Sequence, residues 1–309
     1  MKAARVREFG PPSVITIEEL PVPKPARGHV LVRVYAAGVG NWDALVREGK
    51  SLLGQRPPLT LGSELSGIVE AAGDGVVNFA PGDEVYGATN EQFIGAYAEY
   101  ALASAGMIAH KPRRLSHIEA ASSPIGAVTA WQMLFEYAHA TAGQTVLVQG
   151  AAGNVGAYAV QLAQRAGLHT IGTAGAADLE YVKTLGAERV VDYQARRFED
   201  AAGPVDVVLD TVGGDTQQRS LSILKPGGIL VSAVCRVPEE TLGKLGVRAA
   251  YFYVEVTTGR LNKIAQLFDA GSLVPRVGAV LPLADVRTAH EMLGGGPHKP
   301  GKIVLQVAS

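Results

Sequence analysis

Cysteine is almost absent: the 309-residue chain holds one, Cys235. A single thiol excludes an internal disulfide framework and any Cys-rich metal site; following an apolar run, it reads as a small buried residue. An excess of one charge is missing too. The formal net charge is −1, so no broad basic field advertises a nucleic acid, and Arg113-Arg114 reads as a solvated turn. No run approaches the ~20 apolar residues of a membrane helix. Met1-Lys2-Ala3-Ala4-Arg5-Val6 lacks the apolar stretch of a signal peptide. The expectation is a cytoplasmic protein with neither a membrane nor a nucleic-acid partner. No solenoid-length repeat occurs, and the 37 glycines are spread over turns rather than gathered in a low-complexity block.

What is present is an ordinary globular composition, 47% hydrophobic and 18% charged, at a length comfortable for two domains. The first third is β-rich. Val30-Leu31-Val32-Arg33-Val34-Tyr35, Ser66-Gly67-Ile68-Val69-Glu70 and Asp83-Glu84-Val85-Tyr86 read as strands, with Gly28 and Pro81-Gly82-Asp83 as turns. After Pro112 the character changes. Residues 119–138 have helical spacing. From Thr145 strands (145–149, 169–173, 189–192, 205–209, 228–233) alternate with helices (about 154–166, 178–186, 215–224), which predicts a parallel sheet covered on both faces. Two helices, near 258–270 and 284–293, and a strand Lys302-Ile303-Val304-Leu305 close the chain.

The most informative segment is Gly150-Ala151-Ala152-Gly153-Asn154-Val155-Gly156. It follows the buried-strand pattern Thr145-Val146-Leu147-Val148 and leads into a helical one. Strand, small-residue turn and helix start make a place to set a pyrophosphate, on free N–H groups at the positive end of the helix dipole. Gly153 and Gly156 take the second and third glycine positions of G-x-G-x-x-G, with Ala151 in the first. A tight connection chosen only for packing is the bland alternative; the place after the first strand of a βα series favours a dinucleotide.

The end of the next strand bears on which one. NAD binders place Asp or Glu there, about twenty residues on, for the ribose hydroxyls. Here Thr173 is followed by Ala174-Gly175-Ala176-Ala177, and Asp178 reads as the cap of the following helix. No carboxylate repels a 2′-phosphate, so NADP(H) is preferred and NAD(H) is possible. Thr173 and Gly175 are the cofactor-binding candidates on this strand end. Tyr193, after the third strand, is a candidate at the adenosine end or a surface tyrosine.

Taken together, the residues resemble the medium-chain dehydrogenase/reductase superfamily, and within it the zinc-independent quinone oxidoreductases. The resemblance covers essentially the whole chain. It rests on Gly38-Val39-Gly40-Asn41-Trp42-Asp43, Leu61-Gly62-Ser63-Glu64-Leu65-Ser66-Gly67, Pro81-Gly82-Asp83-Glu84-Val85-Tyr86-Gly87 and Gly95-Ala96-Tyr97-Ala98-Glu99-Tyr100. It continues through Thr129-Ala130, the glycine turn, Asp210-Thr211-Val212-Gly213-Gly214, Lys225-Pro226-Gly227-Gly228 and Gly301-Lys302-Ile303-Val304-Leu305. It implies an α/β protein: a GroES-like β-rich domain (1–117 and 262–309) and an inserted Rossmann doubly wound parallel-sheet domain (118–261), with the active site in the cleft. It further implies that Thr211, Val212, Ser232 and Ala233 line the nicotinamide end, that Thr129 touches the nicotinamide ribose, and that Phe252 and Tyr253 approach the cofactor from the far side. A homodimer is expected from the same resemblance, with Arg248–Val254 as the candidate edge.

Two departures matter. Zinc-dependent relatives carry a Cys near position 40 and a Gly-His-Glu motif; this chain has Gly40 and Ser63 there, so no metal is expected. The quinone oxidoreductase pattern Asn-Pro-x-Asp appears as Gly40-Asn41-Trp42-Asp43, with asparagine one place late. Asn41 and Trp42 are substrate-binding candidates, and Trp42 reads equally as core. Asp43 reads as a helix N-terminal residue rather than a catalytic acid. The expected activity is NADPH-dependent delivery of hydride to quinones or α,β-unsaturated carbonyls. Asn41, Tyr251 or a backbone group would steady the developing enolate, and no dedicated general acid stands out. A cofactor-binding regulatory or nucleic-acid-binding protein is the alternative, and a zinc alcohol dehydrogenase a third reading.

Overall fold

A computed structural model describes residues 1–308. The chain divides into two compact units, one formed by Met1–Ile125 with the segment from Val256 onward, the other by Gly126–Glu255.

The first unit is built on strand His29–Val39, eleven residues long, whose run of valines and alanines is almost wholly buried. It pairs antiparallel with Glu64–Ala72, Tyr100–Ser104 and Lys302–Gln306. The seven-stranded sheet is completed by Glu84–Ala88, Ile108–His110 and Val277–Pro282. A three-stranded sheet of Ile15–Glu19, Lys2–Val6 and Leu59–Thr60 packs on the same core. The core gathers Val30, Val32, Val34, Leu65, Val85, Ile108, Ile303 and Leu305; each fully buried aliphatic side chain contributes roughly 1.5–3 kcal/mol. The last strand is thus not an appendage: Ile303 to Leu305 complete the core begun by the first third of the chain.

The second unit is an all-parallel sheet of six strands. Its order is Arg189–Asp192, His169–Ala174, Thr145–Gln149, Val205–Asp210, Leu224–Ser232, Arg248–Tyr251. Strand Thr145–Gln149 is first in sequence and third in space, so the order reverses at its carboxyl end. That is where an open α/β sheet leaves a crevice for a ligand. Its valines and leucine are buried on both faces, as a parallel strand between helices requires. Short helices Phe198–Ala202 and Glu239–Leu245 were not legible in the sequence: five and seven residues give too few turns for a periodic signal.

The helical spacing over 119–138 does not give one helix. Helix His117–Ala121 stops, Pro124–Trp131 begins, and Gln132–Tyr137 is π-helical. Pro124 has no N–H and disfavours a helical residue before it. The hydroxyls of Ser122 and Ser123 donate back to the Glu119 and Ala120 carbonyls at 2.6 and 2.9 Å, occupying acceptors that a continuing helix would use. Asp178 stands at the N-cap position of Leu179–Thr184, but its side chain makes no capping bond, contrary to the sequence expectation. No helix among the described residues is long and apolar enough to cross a membrane.

Candidate active site

The glycine turn is fixed by one left-handed residue, one close approach and one hydrogen bond. Gly150 has φ +70°, a left-handed conformation that L side chains rarely hold. A Cβ on Gly156 would lie 2.1 Å from the Gly150 carbonyl oxygen and 2.9 Å from Ala151 Cα, so only glycine lets helix Gly156–Arg165 start this near the strand. The Ala151 N–H donates to the Thr173 carbonyl at 2.9 Å, tying the turn to the next strand. No side chain among the described residues caps the helix start; the Gly153 and Ala157 N–H groups are taken by the Gly150 and Gly153 carbonyls at 3.0 and 2.9 Å, which leaves the N–H groups of Asn154, Val155 and Gly156 to an anion. Gly153 and Asn154 are exposed at the tip. The cradle therefore fits a pyrophosphate, and the cofactor would be held by Gly150 to Gly156.

Two candidate threonines turn inward to build the turn. Thr173 is buried; its hydroxyl donates to Gln149 Oε1 at 2.7 Å and accepts from the Gly150 N–H at 3.1 Å. Thr211 donates to the Gln149 carbonyl at 2.8 Å. Gln149, missed in the sequence, is thus the centre of the strand end. Its Nε2 donates to Ser220 at 2.9 Å.

Asp210 organises the neighbouring strand end. It is fully buried, and its Oδ1 accepts from the N–H groups of Val212 and Gly213 at 3.0 and 2.8 Å. Its Oδ2 accepts from Gln217 at 3.0 Å and from the Ser232 hydroxyl at 2.8 Å. Ser232 in turn accepts from the N–H groups of Val234 and Cys235 at 3.1 and 3.2 Å. The carboxylate thereby sets the path of Thr211-Val212-Gly213 and of Ser232-Ala233 together. A buried acid with four donors holds its loops rigidly. The sequence signal was available: an acid ending an otherwise apolar strand, Val205-Asp206-Val207-Val208-Leu209-Asp210.

The remaining candidates of this unit have simpler places. Tyr193 is 58% exposed, and its hydroxyl lies 3.6 Å from where a Gly175 Cβ would be, so these two candidates meet at the strand ends. Phe252 is buried and stacked on Tyr137 at 4.3 Å between ring centroids. Tyr251 packs edge-on to Tyr253 at 5.5 Å, with the Arg236 guanidinium 5.3 Å from its ring. Burial first, then the hydrogen bond with Tyr253, raises the Tyr251 hydroxyl to about 12. It is thus a neutral donor throughout the physiological range. Thr129 lies nearly buried on helix Pro124–Trp131.

In the first unit, helix Asn41–Arg47 carries the other candidates. Asn41 is exposed at its start. Trp42 is half-buried against the core and edge-on to Phe93 at 6.0 Å. Asp43 does occupy the first helical turn, and its Oδ2 accepts from the Gly40 N–H at 2.9 Å. It is also 1% exposed, with Ser63 donating to Oδ1 at 3.1 Å. Burial raises its carboxyl to about 6, against the lowering pull of Lys302 and the Gly40 N–H, while nearby Glu64 adds to the rise. Glu64 and Lys302 form a buried ion pair; the other Glu64 oxygen accepts from the Ile125 N–H at 2.8 Å. Neither member was singled out from the sequence, although each is a charge set beside apolar strand residues.

Ser66, His117 and Glu84 also stand in line, with Ser66 Oγ 2.8 Å from His117 Nδ1 and His117 Nε2 3.2 Å from Glu84. Ser66 is fully buried and donates its proton to the Val85 carbonyl at 3.0 Å, so it is a strand-to-strand link and not a nucleophile.

The residues do not fit a zinc ion. Position 40 has no side chain, Ser63 offers a hydroxyl in place of an imidazole, and Glu64 is taken by an ammonium. Among the described residues no three His, Cys, Asp or Glu side chains come together in a group able to hold a metal.

Comparison with known proteins agrees with this architecture. Residues 26–113 match the family model described as alcohol dehydrogenase GroES-like domain, and residues 185–305 the one described as zinc-binding dehydrogenase. The quinone oxidoreductase of Mus musculus is 33% identical over 99% of this chain and 97% of its own length. The solved quinone oxidoreductase from Coxiella burnetii superposes with a TM-score of 0.93 at 32% identity, covering 100% of this chain and 99% of that one. A mycobacterial protein solved in complex with NADPH gives 0.89 at 30% identity, covering 99% of this chain and 100% of its own. With a GroES-like unit, a parallel-sheet unit bearing a glycine-rich turn, and relatives matched end to end, the chain belongs to the quinone oxidoreductase family of the medium-chain dehydrogenases/reductases.

Proposed function

We propose that this protein is an NADPH-dependent, metal-free reductase of quinones or α,β-unsaturated carbonyls. The observation that carries the reading is the uncapped helix start behind the Gly150–Gly156 turn, followed at the next strand end by Gly175 where an acid would oppose a 2′-phosphate. The mycobacterial relative solved with NADPH supports the same cofactor choice. When bound, the nicotinamide supplies a hydride.

The chain's own groups then have defined tasks. The turn holds the pyrophosphate; Gly175 and Tyr193 border the adenosine ribose. Asp210, by locking Thr211-Val212 and Ser232-Ala233, orients the nicotinamide end, with Thr129, Phe252 and Tyr253 as further contacts. Orientation of this kind is a large share of catalysis when the acceptor is already electrophilic. Asn41 and Trp42 meet the acceptor. Tyr251, kept protonated, is the side-chain donor for a developing enolate oxygen. The edge strand Arg248–Tyr251 has one free side for pairing with a second copy about a two-fold axis, and a cytoplasmic homodimer completes the reading.

A panel of quinones and enones with NADPH and with NADH, followed by nucleotide absorbance, tests the assignment. Turnover with NADPH in preference to NADH supports it. Failure of every acceptor to oxidise either nucleotide would sink the enzyme reading.

A further inference from the structure

Gln149 closes the otherwise apolar strand Thr145–Gln149 and is 1% exposed. A buried amide is costly unless its donor and its acceptor are both used. Here both are, and each bond leads to a different part of the site. Oε1 takes the Thr173 proton at 2.7 Å. A hydroxyl has one proton to give, so the Thr173 oxygen is left to accept, and it does so from the Gly150 N–H at 3.1 Å. Nε2 donates to Ser220 Oγ at 2.9 Å, while Ser220 gives its own proton to the Thr216 carbonyl at 2.7 Å. Ser220 and Thr216 lie on helix Gly214–Leu221, which starts directly after Thr211-Val212-Gly213. The Gln149 carbonyl accepts from the Thr211 hydroxyl at 2.8 Å.

Two threonines thus close on Gly150. Thr173 holds its N–H, and a Cβ on Gly150 would lie 2.7 Å from Thr211 Oγ1. Gln149, Thr173 and Ser220 are at most 2% exposed, so water does not compete for these bonds. One residue joins three strand ends: its own, that of His169–Ala174 and that of Val205–Asp210. Two of the loops leaving them have separate tasks. The Gly150–Gly156 turn faces the pyrophosphate, and Thr211-Val212 faces the nicotinamide end. An apolar side chain of the same length would leave the Thr173 proton without its acceptor and the Ser220 oxygen without its donor.

We propose that Gln149 is a positioning residue for the nucleotide. It holds the pyrophosphate turn and the nicotinamide-end loop in one register, so that NADPH meets both together. The inference rests on the NADPH reading above, and binding of NADPH to the wild type tests that reading separately.

Full-length wild type, Gln149→Met and Gln149→Glu are titrated calorimetrically with NADPH and with adenosine 2′,5′-bisphosphate. The bisphosphate carries the adenosine end without the pyrophosphate or the nicotinamide. Gln149→Met removes both side-chain bonds at similar length. Its affinity for NADPH is expected to fall about tenfold or more, while its affinity for the bisphosphate stays at the wild-type value. General damage to the fold would weaken both ligands alike. Equal loss for the two ligands, or no loss for either, overturns the proposal.

Gln149→Glu adds a readout in pH. Protonated, the introduced carboxyl has an oxygen for Thr173 and an O–H for Ser220; ionised, it has no donor and leaves a buried charge. Burial favours the neutral form. The NADPH affinity of this variant, taken relative to wild type at each pH, is expected to approach the wild-type value as pH falls from about 8 towards about 6. A profile parallel to that of the wild type would count equally against the proposal, and it decides the matter if the methionine variant does not fold.

Discussion

The carbonyl oxygen of Gly150 fills the space that a side chain on Gly156 would need: a Cβ there would stand 2.1 Å away. The clash is with backbone, so it cannot be relieved by a rotamer change. Gly156→Ala should therefore push the helix start off the strand end. A loss of about 1–3 kcal/mol in stability is expected from overpacking. NADPH affinity, read by fluorescence titration, should fall by more than tenfold. Unchanged nucleotide affinity would remove the turn from the binding site.

Gly175 offers the converse test, because its surroundings have room. A Cβ there meets nothing nearer than the Tyr193 hydroxyl at 3.6 Å. Gly175→Asp should fold normally and place a carboxylate where NAD binders carry one. The ratio of KM for NADPH to KM for NADH should rise about tenfold or more, equivalent to ~1.4 kcal/mol of discrimination. An unaltered ratio would mean that the 2′-phosphate does not approach this strand end.

Asp210→Ala would strip four donors of their acceptor, among them the N–H groups of Val212 and Gly213. Each buried unsatisfied donor costs about 1–3 kcal/mol, so a drop of several degrees in unfolding temperature is expected. Asp210→Asn keeps an acceptor oxygen and should cost less, while raising KM for the nucleotide more than it lowers kcat. Thermal melts with nucleotide titrations separate the two effects.

The Asp43 carboxyl makes stability depend on pH in an unusual direction. Its value in the folded chain, about 6, lies above its ordinary 3.8. Between these values the folded state binds the extra proton, so the contribution is fully present below pH 3.8 and is lost as pH rises through 6. The full difference corresponds to about 3 kcal/mol. Urea midpoints compared between wild type and Asp43→Asn should diverge over pH 4–7, with the wild type losing ground as pH rises. Parallel curves would contradict the assignment.

His290 acts oppositely. It is 2% exposed, its Nδ1 lies 2.8 Å from Arg47 Nη1, and its Nε2 is buried without a partner among the described residues. Burial, with the Arg47 charge, lowers it from 6.5 to about 3. The unfolded chain then binds the extra proton, so this stability is present above pH 6.5 and is lost as pH falls towards 3. His290→Gln, whose amide oxygen can still accept from Arg47, should flatten the acid limb of the unfolding profile. A histidine variant curve that tracks the wild type down to pH 4 would be evidence against a buried neutral imidazole.

Much of the site was legible because its signals are local. The Gly150–Gly156 turn needs neighbours only a few residues away, and five of the six strands of the parallel unit carry short apolar runs that read as strands. Sequence patterning also places Gly175 where an acid would be, since strand ends are set by the same spacing. The break at Ser122–Pro124 was legible in principle, yet helical spacing outweighed a single proline. The roles of Thr173, Asp210 and Ser232 were not legible. Thr173 and Ser232 look like cofactor contacts in sequence, and only packing turns their hydroxyls to Gln149 and Asp210.

By itself, then, the sequence determined the glycine-rich turn, the alternation of strands and helices that begins at Thr145, and the missing thiolate and imidazole near positions 40 and 63. Those depend on backbone conformation and on residue types at fixed spacing. Only the tertiary structure decided which charges meet. Lys302 reaches Glu64 and the Asp43 side of Gly40 because the last strand, Lys302–Gln306, pairs with His29–Val39. That strand pairing brings together residues more than two hundred positions apart, and no periodicity in either segment records it.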